Sequence, residues 1–369
     1  MLTHSLVEGP SEVSGLLAEF LAEVLDPETL SRWRLPRHHY RPRVLTCIDD
    51  GGGIVAAALV TCRPGSAAIK IVDLWWSEES HGEAVLDAVV DLARRDGAAV
   101  IKWEQHLGVE LLDAAQSRGF TELQPLGWNG DISGVRGYAL WLATIQHVEP
   151  RYYRQTTEFT CGAVAALVAA ELLGCSGFSG AAGDRRIEID FWRSASNYPA
   201  CEPVGLAVAI KRYLARSHRV QLALHPDTPV LVEDFSGFER AFRIELQEDS
   251  RQQAAQLGVE IFPGRIGTKE IARRVNGGDI ALLLITQRQM HGHDEAHWIT
   301  AHASDGDSVV VVSDPWIDVA GGETWVDAHE LPIRLTHLDS ICSWGQEDYR
   351  GVVLLSPAAS VDSGSVGSA

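Results

Sequence analysis

Basic residues are scarce in this chain: 31 Lys and Arg stand against 50 Asp and Glu, a formal net charge of −19 over 369 residues. So acidic a surface argues against nucleic acid or anionic membrane as partners. It favours a neutral or basic substrate, or serves solubility alone. Long apolar runs are also missing: none approaches the roughly 20 residues that span a bilayer. The stretch CGAVAALVAAELLG, from Cys161 to Gly174, suits a buried helix instead. The first residues, MLTHSLVEGPSEVSG, show no basic segment followed by an apolar one, so no signal peptide is expected. The six cysteines (Cys47, Cys62, Cys161, Cys175, Cys201, Cys342) contain no Cys-x-x-Cys and no close pair. That excludes a disulfide framework and a cysteine zinc site. A cytoplasmic, reducing location follows, one that suits a free reactive thiol.

What is present is enough apolar residue, 46% of the chain, for large cores. The length predicts two domains of roughly 150–200 residues, and the expected fold class is α/β (α+β). Residues 1–145 alternate helical and strand patterns. Apolar residues at helical spacing run from Glu12 to Val24. VLTCIDD, GIVAAALVTCR and AAIKIVDLWW read as strands, with Asp49-Asp50-Gly51-Gly52-Gly53 a hairpin turn. His81–Arg95 reads as an amphipathic helix, AAVIKWEQ as a strand, Gly108–Arg118 as a helix ending at Gly119, and GYALWLATI as the last strand. The order is helix, antiparallel meander, helix, strand, helix, strand, around a mixed sheet. Trp75, Trp76, Trp103 and Trp128 would supply either core or a recognition surface.

This order resembles a GNAT-type acyltransferase domain. Ala114-Ala115-Gln116-Ser117-Arg118-Gly119-Phe120 looks like the helix-to-strand ending of that family. The resemblance implies a coenzyme A pyrophosphate turn, where backbone N–H groups at a helix N-terminus hold phosphate, at Glu79-Ser80-His81-Gly82-Glu83-Ala84. Gly82 and Ala84 keep the small residues. An acid stands where the family has Arg or Gln, and Glu78, Glu79 and Glu83 would repel a pyrophosphate. The expectation is a degenerate GNAT-like domain, with an acyl carrier or coenzyme A ester as its conceivable partner and no cofactor required.

After a linker around Gln146–Tyr153, residues 151–355 form the expected second domain, followed by a Ser/Gly/Ala-rich tail, 356–369, expected to be disordered. Its predicted elements are Gly162–Leu173, Pro203–Arg216 and Thr268–Asn276 as helices, and ALLLITQ, HWITAHAS and DSVVVVSD as strands. The polar run Arg154-Gln155-Thr156-Thr157-Glu158-Phe159-Thr160 delivers Cys161 to the head of an apolar helix, where the dipole favours thiolate. Gly162 would let a substrate approach the backbone. Gln155, with the Cys161 backbone N–H, would make a two-donor oxyanion hole. The base is expected far along the chain. His297 begins a strand, Ser304-Asp305-Gly306-Asp307 turns it, and Asp314-Pro315 ends the next. His297 and Asp314 then fall close to opposite one another across a hairpin, where Asp314 would orient the imidazole.

Gln-x5-Cys-Gly followed by a distant His-Trp and then Asp-Pro resembles the bacteriocin-processing, double-glycine peptidase family, whose domains are papain-like. The run from Tyr153 to Gly162, with Arg186-Ile187-Glu188-Ile189-Asp190-Phe191-Trp192-Arg193 and Gly205-Leu206-Ala207, is similar to a stand-alone branch often fused to GNAT-like domains. The resemblance implies a peptide substrate cleaved after small residues. Ala163 stands where the family usually has Pro, a position where Pro only pre-organises the helix. No exporter segment accompanies the site, so processing coupled to transport is not implied. The expected activity is that of a cysteine peptidase or amidase working through a thioester on Cys161. Two other readings stay open: acyl transfer to an amine at the same site, and a non-catalytic binding module. Cys201, just before a helix, is expected to be structural. His291 and His293 are expected as solvated loop residues near the site entrance, with no metal bound.

Overall fold

The computed structural model describes residues 3–8, 16–37, 39–106, 113–124, 134–196, 200–345 and 347–357. The N-terminal region runs β1 (Thr3–Glu8), α1 (Leu16–Val24), α2 (Pro27–Arg34), β2 (Arg43–Ile48), β3 (Ile54–Thr61), β4 (Ala68–Trp76), α3 (Glu79–Arg95), β5 (Val100–His106), α4 (Asp113–Ser117), β6 (Thr121–Glu122) and β7 (Val135–Trp141). Its seven strands form one sheet in the order β1-β2-β3-β4-β5-β7-β6, antiparallel except for the β4–β5 pair. This is the expected mixed-sheet order, with two differences. An edge strand, β1, precedes the first helix, and the last strand stops at Trp141. Residues 12–15 and 108–112, expected to open two of the helices, lie outside the described residues, as do Trp128 and the tail beyond 357.

Local chemistry explains these elements. Asp49 accepts hydrogen bonds from the N–H groups of Gly51 and Gly53, and Gly52 takes φ 83°, which closes the β2–β3 hairpin. Asp26 caps α2 by accepting from Glu28 N and Thr29 N, with Pro27 at the first helical position. Helix α3 buries Val85, Leu86, Val89 and Leu92 on one face of the sheet, while Leu21 and Trp33 cover the other. Trp103 is core, edge-to-face with Phe120 at 6.1 Å, and Trp75 packs edge-on against Phe20 at 4.9 Å.

The C-terminal region runs α5 (Cys161–Leu172), α6 (Asp184–Ala195), α7 (Pro203–Tyr213), β8 (Arg219–His225), α8 (Gly237–Leu257), β9 (Glu260–Pro263), α9 (Thr268–Asn276), β10 (Ile280–Thr286), α10 (Arg288–His291), β11 (Ala296–Ser304), β12 (Val309–Ser313), α11 (Trp325–Ala328), β13 (Leu331–Arg334), α12 (Leu335–Ile341) and β14 (Arg350–Ser356). The sheet order is β13-β12-β11-β10-β14-β8-β9, antiparallel except at β8–β9. Helix α5 is apolar all round, and every residue from Cys161 to Ala170 is buried. Such a helix belongs inside a protein; here β11, α6 and α7 enclose it. No helix among the described residues is long and apolar enough to cross a membrane.

The two regions share one core. Ala68, Val100 and Ala139 of the first sheet join Trp325, Val326 and Leu331 in a single apolar cluster. The loop after β3 pairs with β13: Ala67 N donates to Pro332 O at 2.7 Å, and Arg334 N to Gly65 O at 3.2 Å. Trp325 lies so close to Gly137 that a Cβ there would stand 2.7 Å from its ring. Two lysines of the first sheet are buried in the junction. Lys70 pairs with Glu104 at 2.7 Å and with Asp327. Lys102 donates to the carbonyls of Val326 (2.9 Å), Asp327 (3.1 Å) and His329, and burial pulls its amine down to about 7. The linker docks as well, through His147 to Glu330 at 2.5 Å and Glu149 to His329 at 2.9 Å.

Candidate active site

Cys161 opens α5, where its N–H belongs to the first turn and has no helical acceptor. The loop that delivers it is held from below by Glu188 of α6, a fully buried carboxylate. Glu188 accepts from Tyr153 Oη (3.0 Å), Thr156 N (2.8 Å), Thr156 Oγ1 (2.7 Å) and Thr160 Oγ1 (2.5 Å). Sequence reading missed this role. The signal available was an acid on the buried side of an otherwise solvated helix, read there only as part of a family resemblance.

Gly162 turns out to serve the protein's own packing. A Cβ on it would lie 2.9 Å from Cys201 Cβ and 3.1 Å from Trp298 Cδ1, so the close approach expected of a substrate is made by these two side chains. Cys201 is buried, its carbonyl accepts from Trp298 Nε1 at 2.9 Å, and burial holds its thiol far above the ordinary range. A structural thiol fits that environment. Glu202, next to it, caps α7 by accepting from Val204 N and Gly205 N at 2.7 and 2.5 Å.

His297 lies on β11, paired in register with Ile285 of β10 on one side. The ladder to β12 reaches only Thr300–Ser313 and is broken by a bulge at His302, so Asp314 does not face His297 as a ladder pair. Asp314 instead projects from the turn after β12, and His297 Nε2 meets its Oδ1 at 2.7 Å. Cys161 acts on the same ring, where its hydrogen-bond and charge contributions favour the protonated imidazole. Oδ1 of Asp314 also accepts from Trp316 N at 2.9 Å, and Oδ2 accepts from Arg63 Nη1 at 2.7 Å. Burial pulls the imidazole down, but the charge and hydrogen bond of Asp314, with Cys161 beside it, prevail and hold His297 at about 10. Burial pushes the Asp314 carboxyl up; His297 and Arg63 outweigh it and set it at about 2. An imidazolium therefore faces the thiol across neutral pH.

Gln155 is buried in the same loop, its backbone N–H tied to Pro315 O at 3.0 Å, next to Asp314. Its amide donates to Thr157 O at 2.7 Å, which uses one of its two hydrogens. Its Oε1 is buried and has no hydrogen-bond partner among the described residues. Cys161, His297, Asp314 and Gln155 are thus gathered by one helix, one strand end and two loops.

One expectation about the loop histidines needs correcting. His291 is 1% exposed, not a solvated loop residue, because α10 turns it inward until Nε2 lies 3.4 Å from Glu323 Oε2. His293 is exposed, as expected. Gly82 and Ala84 sit in the first turns of α3 against the core of the first sheet, Gly82 buried, with Glu78, Glu79 and Glu83 exposed around them. Among the described residues, no group of three or more His, Cys, Asp or Glu side chains is arranged to hold a metal ion.

Residues 150–356 match the model of a family described as a Peptidase_C39 like family. The N-terminal region matches solved acetyltransferase structures. An IAA acetyltransferase from Bacillus cereus is 14% identical, covering 38% of this chain and 100% of its own, with a TM-score of 0.28. An acetyltransferase from Bacillus subtilis in complex with CoA is 17% identical (39% and 100% covered, TM-score 0.28). A putative acyl-CoA N-acyltransferase from Klebsiella pneumoniae is 14% identical (38% and 98% covered, TM-score 0.30). No curated protein sequence matches the chain.

Proposed function

The chain belongs to the Peptidase_C39 like family, and from that premise we propose that it is a cysteine peptidase or amidase with Cys161 as nucleophile. The observation that carries the reading is the buried His297 ring bonded through Nε2 to the Asp314 carboxylate at 2.7 Å, with Cys161 helping to favour its protonated form. Cys161 Sγ, its proton passed to His297, attacks the carbonyl carbon of a peptide or amide. The C–N bond then breaks as His297 Nδ1 gives its proton to the leaving nitrogen, and a thioester remains on Cys161. Water attacks the thioester, His297 takes its proton, and the carboxylic product leaves as the C–S bond breaks, which returns the Cys161 sulfur and the protonated His297 to their starting state. Asp314 keeps the ring in the tautomer and orientation both steps need. The Cys161 N–H and the second amide hydrogen of Gln155 serve the oxyanion; losing one such donor costs about 3 kcal/mol of transition-state stabilisation. Processing of a ribosomally made peptide is the substrate class most in keeping with the family.

Mass spectrometry after brief treatment with iodoacetamide tests this. Cys161 is expected to label first among the six cysteines, and Cys161→Ala to lose hydrolysis of any cleaved peptide. Preferential labelling elsewhere, or turnover by the variant, rejects it. Added amines that appear as conjugates in place of free acid would make the enzyme a transferase.

The N-terminal region does not, in this reading, use coenzyme A. Three exposed carboxylates, Glu78, Glu79 and Glu83, surround the turn that would have to hold a pyrophosphate. Unpaired like charges near a ligand phosphate weaken binding. Coenzyme A is expected to leave the melting temperature unchanged; a rise that saturates with its concentration would show a working site.

A further inference from the structure

We infer that Arg63, in the loop just after β3 in the N-terminal region, is a positioning residue for the proposed peptidase site, holding Asp314 in the orientation that receives His297. The inference rests on the proposed role of Cys161, His297 and Asp314. Arg63 is contributed by the opposite region of the molecule, 98 positions before Cys161 and outside the residues 150–356 that the family model matches. Its side chain is 2% exposed and reaches through the junction. Nε and Nη2 form a parallel fork with Oε1 and Oε2 of Glu323, both at 2.6 Å, and Nη1 meets Asp314 Oδ2 at 2.7 Å. Glu323 is itself anchored: its Oε2 accepts from Asp318 N at 2.9 Å and lies 3.4 Å from His291 Nε2. The fork fixes the plane of the guanidinium, and the remaining edge points at one carboxylate oxygen whose twin holds the imidazole.

A plain structural ion pair explains this less well. Desolvation makes buried charged groups weak contributors to stability. The junction is already joined by an apolar cluster, by backbone pairing of residues 65–67 with β13, and by Lys70 and Lys102. What Arg63 adds is direction. The terminal torsion of an Asp side chain is broad and roughly two-fold. With Oδ2 bonded to Arg63, and Oδ1 shared by His297 Nε2 and Trp316 N, that torsion has one setting. The positive charge also takes up part of the carboxylate's field, so the proton on His297 is held less tightly than an isolated buried Asp would hold it. Both consequences reach the reacting atoms through Asp314, and Arg63 itself touches none of them.

The full chain tests this by the pH profile of Cys161 alkylation with iodoacetate. The reagent is an anion drawn to the imidazolium, so its rate falls once His297 loses its proton. Arg63→Met alone would strand Glu323, so the informative variant is Arg63→Met with Glu323→Gln, which removes both charges; Arg63→Gln with Glu323→Gln provides a second neutral variant. In the neutral variants the alkaline limb is expected to move up by about one pH unit and the rate at neutral pH to fall by about tenfold as Asp314 loses its setting. Arg63→Lys, which keeps the charge, leaves the limb at its wild-type position. A folded neutral variant with the wild-type limb and rate overturns the inference, as does a limb displaced equally in Arg63→Lys. If iodoacetate labels another cysteine of the wild-type chain first, the reading of Cys161 fails instead, and the two failures are told apart by the labelled peptide.

Discussion

Replacing Asp314 with Asn is expected to lower turnover by roughly 10⁴-fold, the scale seen when the acid of such a triad is amidated. The structure says why so small a change would cost so much. Asp314 offers two acceptor oxygens to three donors: His297 Nε2 and Trp316 N on Oδ1, Arg63 Nη1 on Oδ2. Asn has one oxygen and an NH2. If the oxygen faces Arg63, whose charge makes that bond the stronger, the NH2 faces His297 Nε2 and turns it into an acceptor. The ring proton then sits on Nδ1, toward Cys161, and the thiol loses its base. If the oxygen faces His297, a donor is pressed against a buried guanidinium. Either orientation leaves one polar group opposed by its like. The imidazole also loses the partner that raises it. From about 10 it falls toward or below its ordinary 6.5, because burial, which lowers it, then acts without opposition from Asp314. The sign is testable twice. The alkaline limit of activity should move down, not up, in the variant. The stability tied to the raised imidazole, present in full below about 6.5 and lost as pH climbs through about 10, should disappear from the pH dependence of unfolding. Steady-state rates and chemical denaturation between neutral and alkaline pH measure both.

Glu188→Ala is the second large effect. The carboxylate has no exposed surface and accepts four hydrogen bonds, from Tyr153, from the backbone and hydroxyl of Thr156, and from Thr160. Removing it strands these donors in a space too enclosed for water to replace every bond. An expected destabilisation of about 4 kcal/mol follows from several unsatisfied buried donors, equivalent to a fall of roughly 8–16 °C in melting temperature for a unit of this size. The damage is directional. The segment it unpins, residues 153–160, carries Gln155 and ends at Cys161, so alkylation of Cys161 should slow even at temperatures where the variant remains folded. Glu188→Gln keeps one oxygen but turns an NH2 toward hydroxyl and amide donors; it is expected to fall between Ala and wild type. A variant that melts as wild type does would show that the carboxylate is not a structural hub.

How much of this was legible beforehand follows from the range of the forces involved. The strands and helices around β2–β5 carry alternation or helical spacing within a few residues, and their turn chemistry, Asp49 to Gly53, is local. Cys161 with Gln155 six residues behind it, and His297 followed by Asp314, are local patterns too, and the structure brings all four together. The same locality explains the errors. Gly162 looked like an opening for substrate because a missing side chain is visible in a sequence, while Cys201 and Trp298, which fill the gap, are distant in it. His291 looked solvated because its neighbours are polar; α10 buries it against Glu323, 32 positions later.

The residues proposed as nucleophile, base and the acid behind it, and the order of elements, are therefore legible in the sequence itself, since each rests on residues close enough to read as a pattern. The tertiary structure alone decided how the acid is held. Asp314 reaches His297 from beyond the end of its strand pairing, and its second oxygen belongs to Arg63, brought from the other sheet through a junction of shared core and buried charge. A guanidinium meeting a carboxylate 251 positions away leaves no periodicity in either segment. It exists only once burial has removed the water that would otherwise have satisfied them both.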